Sequence, residues 1–251
     1  MKFLGIIPAR YASTRFPGKP LADMLGKPMI QRVYEQVVNE LDDLYVATDN
    51  ELIFETVRSF GGKAVMTSPL HQSGTDRCYE AFEKIGKPFD VLINIQGDEP
   101  FIQAQQIALL KSCFDQQKSQ IATLAKAFTD ENKWEEVSNP NTPKVIFDQE
   151  MQAIYFSRSV IPFYRDASDK PFATQTTYYK HIGIYAYRAD ILKKITSLKP
   201  SKLEKIESLE QLRWIENNYT IRIAITQQET MGIDSPEDME IAIKKMTNEI
   251  R

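Results

Sequence analysis

Phe3-Leu4-Gly5-Ile6-Ile7-Pro8 runs directly into Ala9-Arg10-Tyr11-Ala12-Ser13-Thr14-Arg15-Phe16-Pro17-Gly18-Lys19-Pro20. The first segment is an apolar run of strand length. The second carries three cations, Arg10, Arg15 and Lys19, and no acidic residue precedes Asp23 to neutralise them. A strand that feeds a cationic loop and then a helix is how α/β proteins hold phosphates at the carboxyl end of a sheet. The arginines offer planar forks and the lysine a point charge. A solvated basic loop is the plainer reading, but surface charge runs usually mix both signs.

Outward from this stretch, strands and helices alternate. Met29, Ile30, Val33, Tyr34, Val37, Val38 and Leu41 recur at three- and four-residue steps, which predicts a helix from Pro28 to Leu41. Leu44 to Ala47 reads as a strand, and Thr48-Asp49-Asn50 after it suits a helix cap. A helix over Leu52 to Phe60, a strand over Lys63 to Thr67, a polar loop from Ser68 and a helix to Ile85 follow. Phe89 to Ile95 is an apolar strand ending in Gln96-Gly97-Asp98-Glu99-Pro100. This alternation predicts an α/β fold with a doubly wound, mostly parallel, Rossmann-like sheet.

The second half is less regular. Strands are expected over Gln120 to Phe128, Lys144 to Phe147, Ala153 to Phe156, Tyr178 to Tyr187 and Thr220 to Ile225. Ser157 to Thr177 reads as a long loop, and Leu203 to Asn217 as one helix. Ser235-Pro236-Glu237-Asp238 opens a last helix, with a serine cap, proline in the first turn and acids beside it. No Gly/Ser linker or repeat interrupts the chain. It reads as a single domain over 1–251 with an excursion around 144–187 suited to an oligomer contact.

Composition narrows the function. A formal net charge of −3 argues against general attraction to nucleic acid or a membrane surface, so the positive opening loop is a local feature. No apolar run approaches the length of a membrane span. The chain enters a strand without a signal peptide's charged and apolar regions, which predicts a cytoplasmic protein. Cys78 and Cys113 lack metal-site spacing, and His71 and His181 lie far apart, so a zinc site is not expected. There is no G-x-G-x-x-G, and Gly18-Lys19 lacks the upstream glycine of a P-loop.

Asp98 follows a buried strand and so falls at the same sheet edge as the basic loop. Facing phosphates held by Arg10 and Lys19, it suits Mg²⁺, which prefers one or two carboxylates plus substrate phosphates. A turn aspartate accepting backbone hydrogen bonds reads equally well by spacing alone. Asp234, ahead of the last helix, is a second candidate carboxylate or simply a helix-entry residue. His71-Gln72-Ser73-Gly74-Thr75-Asp76-Arg77 has hydroxyl and backbone groups suited to a base edge, with Arg77 suited to an anionic substrate, and reads equally well as an ordinary loop and helix N-cap. Arg158 and Arg165, near Tyr155 and Phe156, suggest a carboxylate-binding patch, whereas His181 alone reads as a structural histidine. Glu207, Glu210 and Gln211 share one face of the expected helix, suited to sugar hydroxyls or merely solvated.

Taken together, these motifs resemble one family in order along the whole chain. Ile7-Pro8-Ala9-Arg10 through Pro20-Leu21, His71 through Arg77, Asn94-Ile95-Gln96-Gly97-Asp98-Glu99-Pro100, Tyr155-Phe156-Ser157-Arg158, His181-Ile182-Gly183-Ile184-Tyr185, Leu209-Glu210-Gln211-Leu212-Arg213 and Gly232 through Asp238 resemble the 3-deoxy-manno-octulosonate (Kdo) cytidylyltransferases. The resemblance implies a nucleotide-diphospho-sugar-transferase type of fold, with the 144–187 excursion serving sugar binding and dimerisation. It also implies a cytoplasmic homodimer that makes CMP-Kdo and pyrophosphate from CTP and Kdo, with Mg²⁺, for lipopolysaccharide synthesis. By motif, Pro8, Ala9, Arg10, Arg15, Lys19, Ser73, Gly74 and Asp98 would hold the nucleotide. Asp98 and Asp234 would bind the metal and, with Arg10, Arg15 and Lys19, carry catalysis. Arg77, Gln96, Arg158, Arg165, His181, Tyr185, Glu210 and Gln211 would surround the sugar acid. The first motif is shared with sialate cytidylyltransferases, so another 2-keto sugar acid is the alternative acceptor. A non-catalytic nucleotide-binding regulator is the alternative from outside the enzymes.

Overall fold

The computed structural model describes residues 1–12, 15–115, 119–129, 134–165, 176–228 and 230–249. They form two compact units, Met1–Ala108 with Glu229–Arg251, and Leu109–Gln228. The 144–187 segment falls within the second.

The first unit begins with β1 (Phe3–Ala9), a 3₁₀ turn at Lys19–Leu21 and α1 (Met29–Val37). Then come β2 (Asp43–Thr48), α2 (Glu51–Ser59), β3 (Ala64–Met66), α3 (Gly74–Ile85), β4 (Val91–Asn94) and α4 (Ala104–Ser112), which runs on into the second unit. The strands lie in the order β3-β2-β1-β4, all parallel. Ile6 pairs with Tyr45 on one side and Asn94 on the other. β1 is flanked on both edges and covered on both faces. That is why it reads as an unbroken apolar run rather than an alternating one. Leu4, Ile6 and Ile7 expose nothing. The helix starts follow local chemistry: Asn50 accepts from the Ile53 N–H and caps α2, and Ser73 accepts from the Asp76 N–H and caps α3.

The second unit holds β5 (Ile121–Ala127), α5 (Trp134–Ser138), β6 (Lys144–Phe147), β7 (Ala153–Ser157), β8 (Tyr179–Arg188), α6 (Ala189–Ile195), α7 (Lys202–Glu207), α8 (Gln211–Glu216) and β9 (Ile221–Ile225). β5 is central, antiparallel to β8 and parallel to β9, and β6 pairs antiparallel with β7. Trp214, Tyr187 and Phe156 are the bulky buried residues here. The single helix expected over Leu203 to Asn217 is two. α7 ends at Ser208, whose φ of 52° is left-handed, and a new helix starts at Gln211. Glu207, Glu210 and Gln211 therefore do not share a helix face as their spacing suggested. The chain closes in the first unit with α9 (Pro236–Glu249). Part of the expected 157–177 loop, residues 166–175, lies outside the described residues.

Candidate active site

Lys19 is the centre of the first unit's cavity. Its Nζ donates to Asp98 Oδ2 at 2.7 Å and to the Ile233 carbonyl at 2.7 Å, and stands 3.4 Å from Asp234 Oδ1. Only 13% of the Lys19 side chain is exposed. The backbone arranges the meeting. Gly18, at φ 71°, lets the opening loop turn back so that its N–H reaches the Tyr11 carbonyl at 3.0 Å. Gly97 lies so close to β1 that a Cβ there would sit 3.1 Å from the Pro8 carbonyl oxygen. The Ile233 N–H donates to the Asp98 carbonyl at 2.9 Å. Ile233 is itself buried with Met24, Met29, Met239 and Ala242, so α9 packs behind the segment that carries Asp234.

The cavity has a volume of about 300 Å³. Pro8, Ala9, Arg10, Arg15 and Lys19 line it from the opening loop, Ser73, Gly74 and Arg77 from the start of α3, and Gln96, Asp98 and Asp234 from the remaining loops. The structure thus brings together eleven of the residues singled out in the sequence. Arg15 reaches Asp234 Oδ1 at 3.1 Å across an exposed pair, which holds little energy by itself. Arg77 is buried, and its guanidinium is engaged from behind by Asp49 Oδ2 and Thr67 Oγ1, each at 2.7 Å. Glu99, next to Asp98, has its Oε2 shut away without a hydrogen-bond partner. Burial and then the Asp98 charge push its carboxyl up to about 8.

The wall also contains residues the sequence reading did not assign: Pro20, His71, Gln72 and Gly97. Behind His71 stands Glu80 on α3. Its carboxylate accepts the Ser68 N–H at 2.8 Å, contacts His71 Nε2 and pairs with the Lys84 ammonium at 2.7 Å. No spacing rule links positions 68, 71 and 80, so nothing in the sequence announced this cluster.

The second unit holds the other candidate residues. Arg158 donates Nε to the Glu207 carbonyl at 2.6 Å, Nη1 to the Pro140 carbonyl at 2.8 Å and Nη2 to the Ser208 carbonyl at 3.3 Å. The Glu207 carboxylate accepts from Ser157 Oγ and the Arg158 N–H. Lys144, unassigned from sequence, is fully buried and donates to three carbonyls, those of Asn139, Thr142 and Arg158. His181 lies 3.0 Å from Thr123 Oγ1 and packs edge-on to Phe156 and tilted to Tyr185. The Tyr185 hydroxyl and the Gln211 Nε2 are buried without a hydrogen-bond partner. Glu210 stands 3.8 Å from Arg213, and Arg165 is exposed.

The sequence pattern of the family described as Cytidylyltransferase matches residues 4–223. A 3-deoxy-manno-octulosonate cytidylyltransferase of Parabacteroides distasonis is 59% identical over 99% of both chains. Its counterpart from Bacteroides thetaiotaomicron is 58% identical, again over 99% of both. The chain belongs to the 3-deoxy-manno-octulosonate cytidylyltransferase family. A solved structure of CMP:2-keto-3-deoxy-manno-octonic acid synthetase complexed with CTP is 42% identical and superposes with a TM-score of 0.89, covering 99% of this chain and all of that one. The α/β fold expected from the opening strand is the fold of this Kdo cytidylyltransferase relative. Among the described residues, no helix is long and apolar enough to cross a membrane.

His181, Glu80 and Glu99 are among the groups that make this family member's stability depend on pH. Burial pushes His181 down to about 3 from 6.5. Burial alone would raise Glu80, but Lys84, the Ser68 N–H and His71 outweigh it and hold the carboxyl at about 2 rather than 4.5. Both folded values lie below the unfolded ones, so as pH falls the unfolded chain takes up protons first. Their contribution is complete above pH 6.5, fades towards 3 through His181, and fades from 4.5 towards 2 through Glu80. Glu99, raised to about 8 from 4.5, works the other way between those values and offsets His181 from 6.5 to 4.5, so melting temperature followed from pH 7.5 downward is expected to decline clearly only below about 4.5. A profile that stays flat below about 4.5 contradicts the lowered values of both His181 and Glu80.

Proposed function

We propose that this chain transfers CMP from CTP to Kdo. The anomeric hydroxyl oxygen of Kdo attacks the α-phosphorus, the bond to the β-phosphate oxygen breaks, pyrophosphate leaves, and the hydroxyl proton passes to solvent. The observation that carries the reading is the convergence of Lys19, Asp98 and Asp234 in a cavity walled by Arg10, Arg15 and the start of α3. The three cations suit a triphosphate and the charge that builds on departing pyrophosphate. Such a displacement needs positioning and charge stabilisation, with no covalent enzyme intermediate.

Magnesium belongs to the same proposal. The fit is favourable: two carboxylates from distant loops already converge on one ammonium-sized point, marked by Lys19 Nζ. Among the described residues no group of three or more Asp, Glu, His or Cys side chains could close a metal cage. Magnesium rarely uses such a cage. It takes one or two carboxylates and completes its shell with substrate phosphates and water. Asp98 and Asp234 would hold it, and when bound it would supply Lewis-acid polarisation of phosphate and hydroxyl oxygens.

For the acceptor, the proposal assigns Arg158, Arg165, His181, Tyr185, Glu210 and Gln211, together with Arg77 and Gln96. His181 is enclosed and neutral, so it suits a hydroxyl rather than the sugar's carboxylate. Among the described residues the Arg158 guanidinium meets three neutral carbonyl oxygens, which suits its charge to an anion. A homodimer in the cytoplasm serving lipopolysaccharide synthesis completes the reading. Pyrophosphate release with CTP and Mg²⁺ tests it. Kdo is expected to support turnover at least about a hundredfold faster than N-acetylneuraminate, the discrimination a site gains by leaving polar groups unpaired with the wrong acceptor. Equal rates overturn the choice of acceptor, and no release with either overturns the enzyme reading. Light scattering on the eluted protein tests the dimer.

A further inference from the structure

We propose that Glu80 is a positioning residue for the nucleotide: from behind the cavity wall it fixes the segment 68–72, and through it His71, in the binding position. This rests on the reading that the first unit's cavity takes CTP. Glu80 does not line the cavity, whereas His71, Gln72, Ser73 and Gly74 do. One oxygen of its carboxylate accepts the Ser68 N–H at 2.8 Å and contacts His71 Nε2. The other takes the Lys84 ammonium at 2.7 Å, and Lys84 also donates to the Met66 carbonyl at 2.9 Å. One acid and one base on α3 thus tie the end of β3 and the loop beyond it to the helix whose first turn walls the cavity.

The loop has little else to hold it. Leu70 is 81% exposed and gives no apolar anchor. Thr67 ahead of it is tied to the Thr48 carbonyl, and among the described residues the further bonds of 68–72 are short-range, from the Leu70 N–H to Ser68 Oγ at 3.2 Å and from Gln72 Nε2 to the Leu70 carbonyl at 3.4 Å. These stiffen the loop internally without attaching it to the body. The carboxylate also decides which way the histidine ring faces. Facing the Glu80 carboxylate, Nε2 is the nitrogen that donates, which fixes the orientation of a ring in the cavity wall. Glu80 therefore sets both the place of the wall and the orientation of one of its side chains, while lying outside the cavity lining itself.

A residue that acts on ground-state binding of one substrate splits the kinetic constants in a way that general damage to the fold does not. The experiment is steady-state pyrophosphate release by the full chain, with CTP and Kdo varied separately, for wild type, E80A, E80Q, E80D, H71F and the E80A/H71F pair. E80A is expected to raise KM for CTP about tenfold, the equivalent of one lost charge-assisted hydrogen bond. Both kcat and KM for Kdo stay within about twofold, and E80D recovers part of the loss. The double variant is expected to be no worse than the worse single one, because both changes break the same connection. An unchanged KM for CTP overturns the proposal, as does an equal loss in kcat and both KM values, or strictly additive losses in the pair. If E80A fails to fold, the isosteric E80Q carries the comparison. Calorimetric titration of CTP into wild type separates the two levels: no binding and no turnover removes the cytidylyltransferase reading, while normal wild type with a silent Glu80 removes only this role.

Discussion

Asp98→Asn is expected to lower kcat for pyrophosphate release by about a thousandfold or more, the scale on which a pre-placed electrostatic group matters in such a site. The side chain keeps its shape and loses its charge. In the parent chain the Asp98 carboxylate faces Lys19 at 2.7 Å, and the second carboxylate of the site lies 3.4 Å from the same ammonium. An amide would leave Asp234 as the one carboxylate of the proposed metal pair, and Asp234 is half-exposed and already shared with Arg15. The fold has much less at stake. Lys19 retains the Ile233 carbonyl at 2.7 Å, and the backbone bond from Ile233 to Asp98 does not involve the side chain. The melting temperature is therefore expected to move by no more than about 3 °C, as befits a change worth roughly 1 kcal/mol in a chain of this size. Rate against Mg²⁺ concentration and a thermal melt of the same preparation check both halves. Near-wild-type turnover at ordinary Mg²⁺ would show that Asp98 does not hold the metal.

Why Asp98 could be singled out before any coordinates, and Glu80 could not, is a matter of what leaves a trace along the chain. Asp98 sits at the end of an apolar run, and topology sends every such strand end of a parallel sheet to one edge. The opening loop was legible for the same reason, with its cations unopposed by nearby acids. Caps were legible because their chemistry is local: Asn50 and Ser235 each sit next to the helix they start. The convergence of Asp98 and Asp234 on Lys19 is not local. It depends on Ile233 packing among methionines of α9 and the 22–29 region, which no spacing encodes. The break between α7 and α8 was missed because nothing at Ser208 forbids a helix. The residue adopts a left-handed conformation without glycine, held by the Leu209 N–H to the Glu204 carbonyl at 3.2 Å and by Arg213 reaching back to Glu204. Tertiary bonds outweighed a weak local preference there. Lys144 was hidden more thoroughly, since a lysine opening a strand reads as an exposed edge residue.

That buried lysine carries the largest expected effect on stability. Lys144 exposes none of its surface, and its ammonium donates to the carbonyls of Asn139 at 3.0 Å, Thr142 at 2.7 Å and Arg158 at 2.7 Å. Three loop carbonyls on one donor leave little room for substitutes. Methionine nearly preserves the volume, so Lys144→Met isolates the polar loss from any cavity. Each carbonyl left without a donor costs about 1–3 kcal/mol. Against this stands relief, because burying the ammonium is itself unfavourable: burial, and then the Arg158 charge, lower its pKa, with Glu207 opposing. The unpaired carbonyls outnumber the relieved charge, and the net loss is expected to be about 3 kcal/mol. Melting should then fall by about 6–12 °C, measured at pH 7 by calorimetry or circular dichroism. The damage should not stop at stability. The Arg158 carbonyl is one of the three acceptors, so the segment that carries this arginine loosens with it, and KM for Kdo should rise more than KM for CTP. A Lys144→Met protein that melts within a degree of the parent would mean water satisfies those carbonyls. The junction of β6, β7 and α7 would then owe its order to the Glu207 bonds with Ser157 and Arg158 instead.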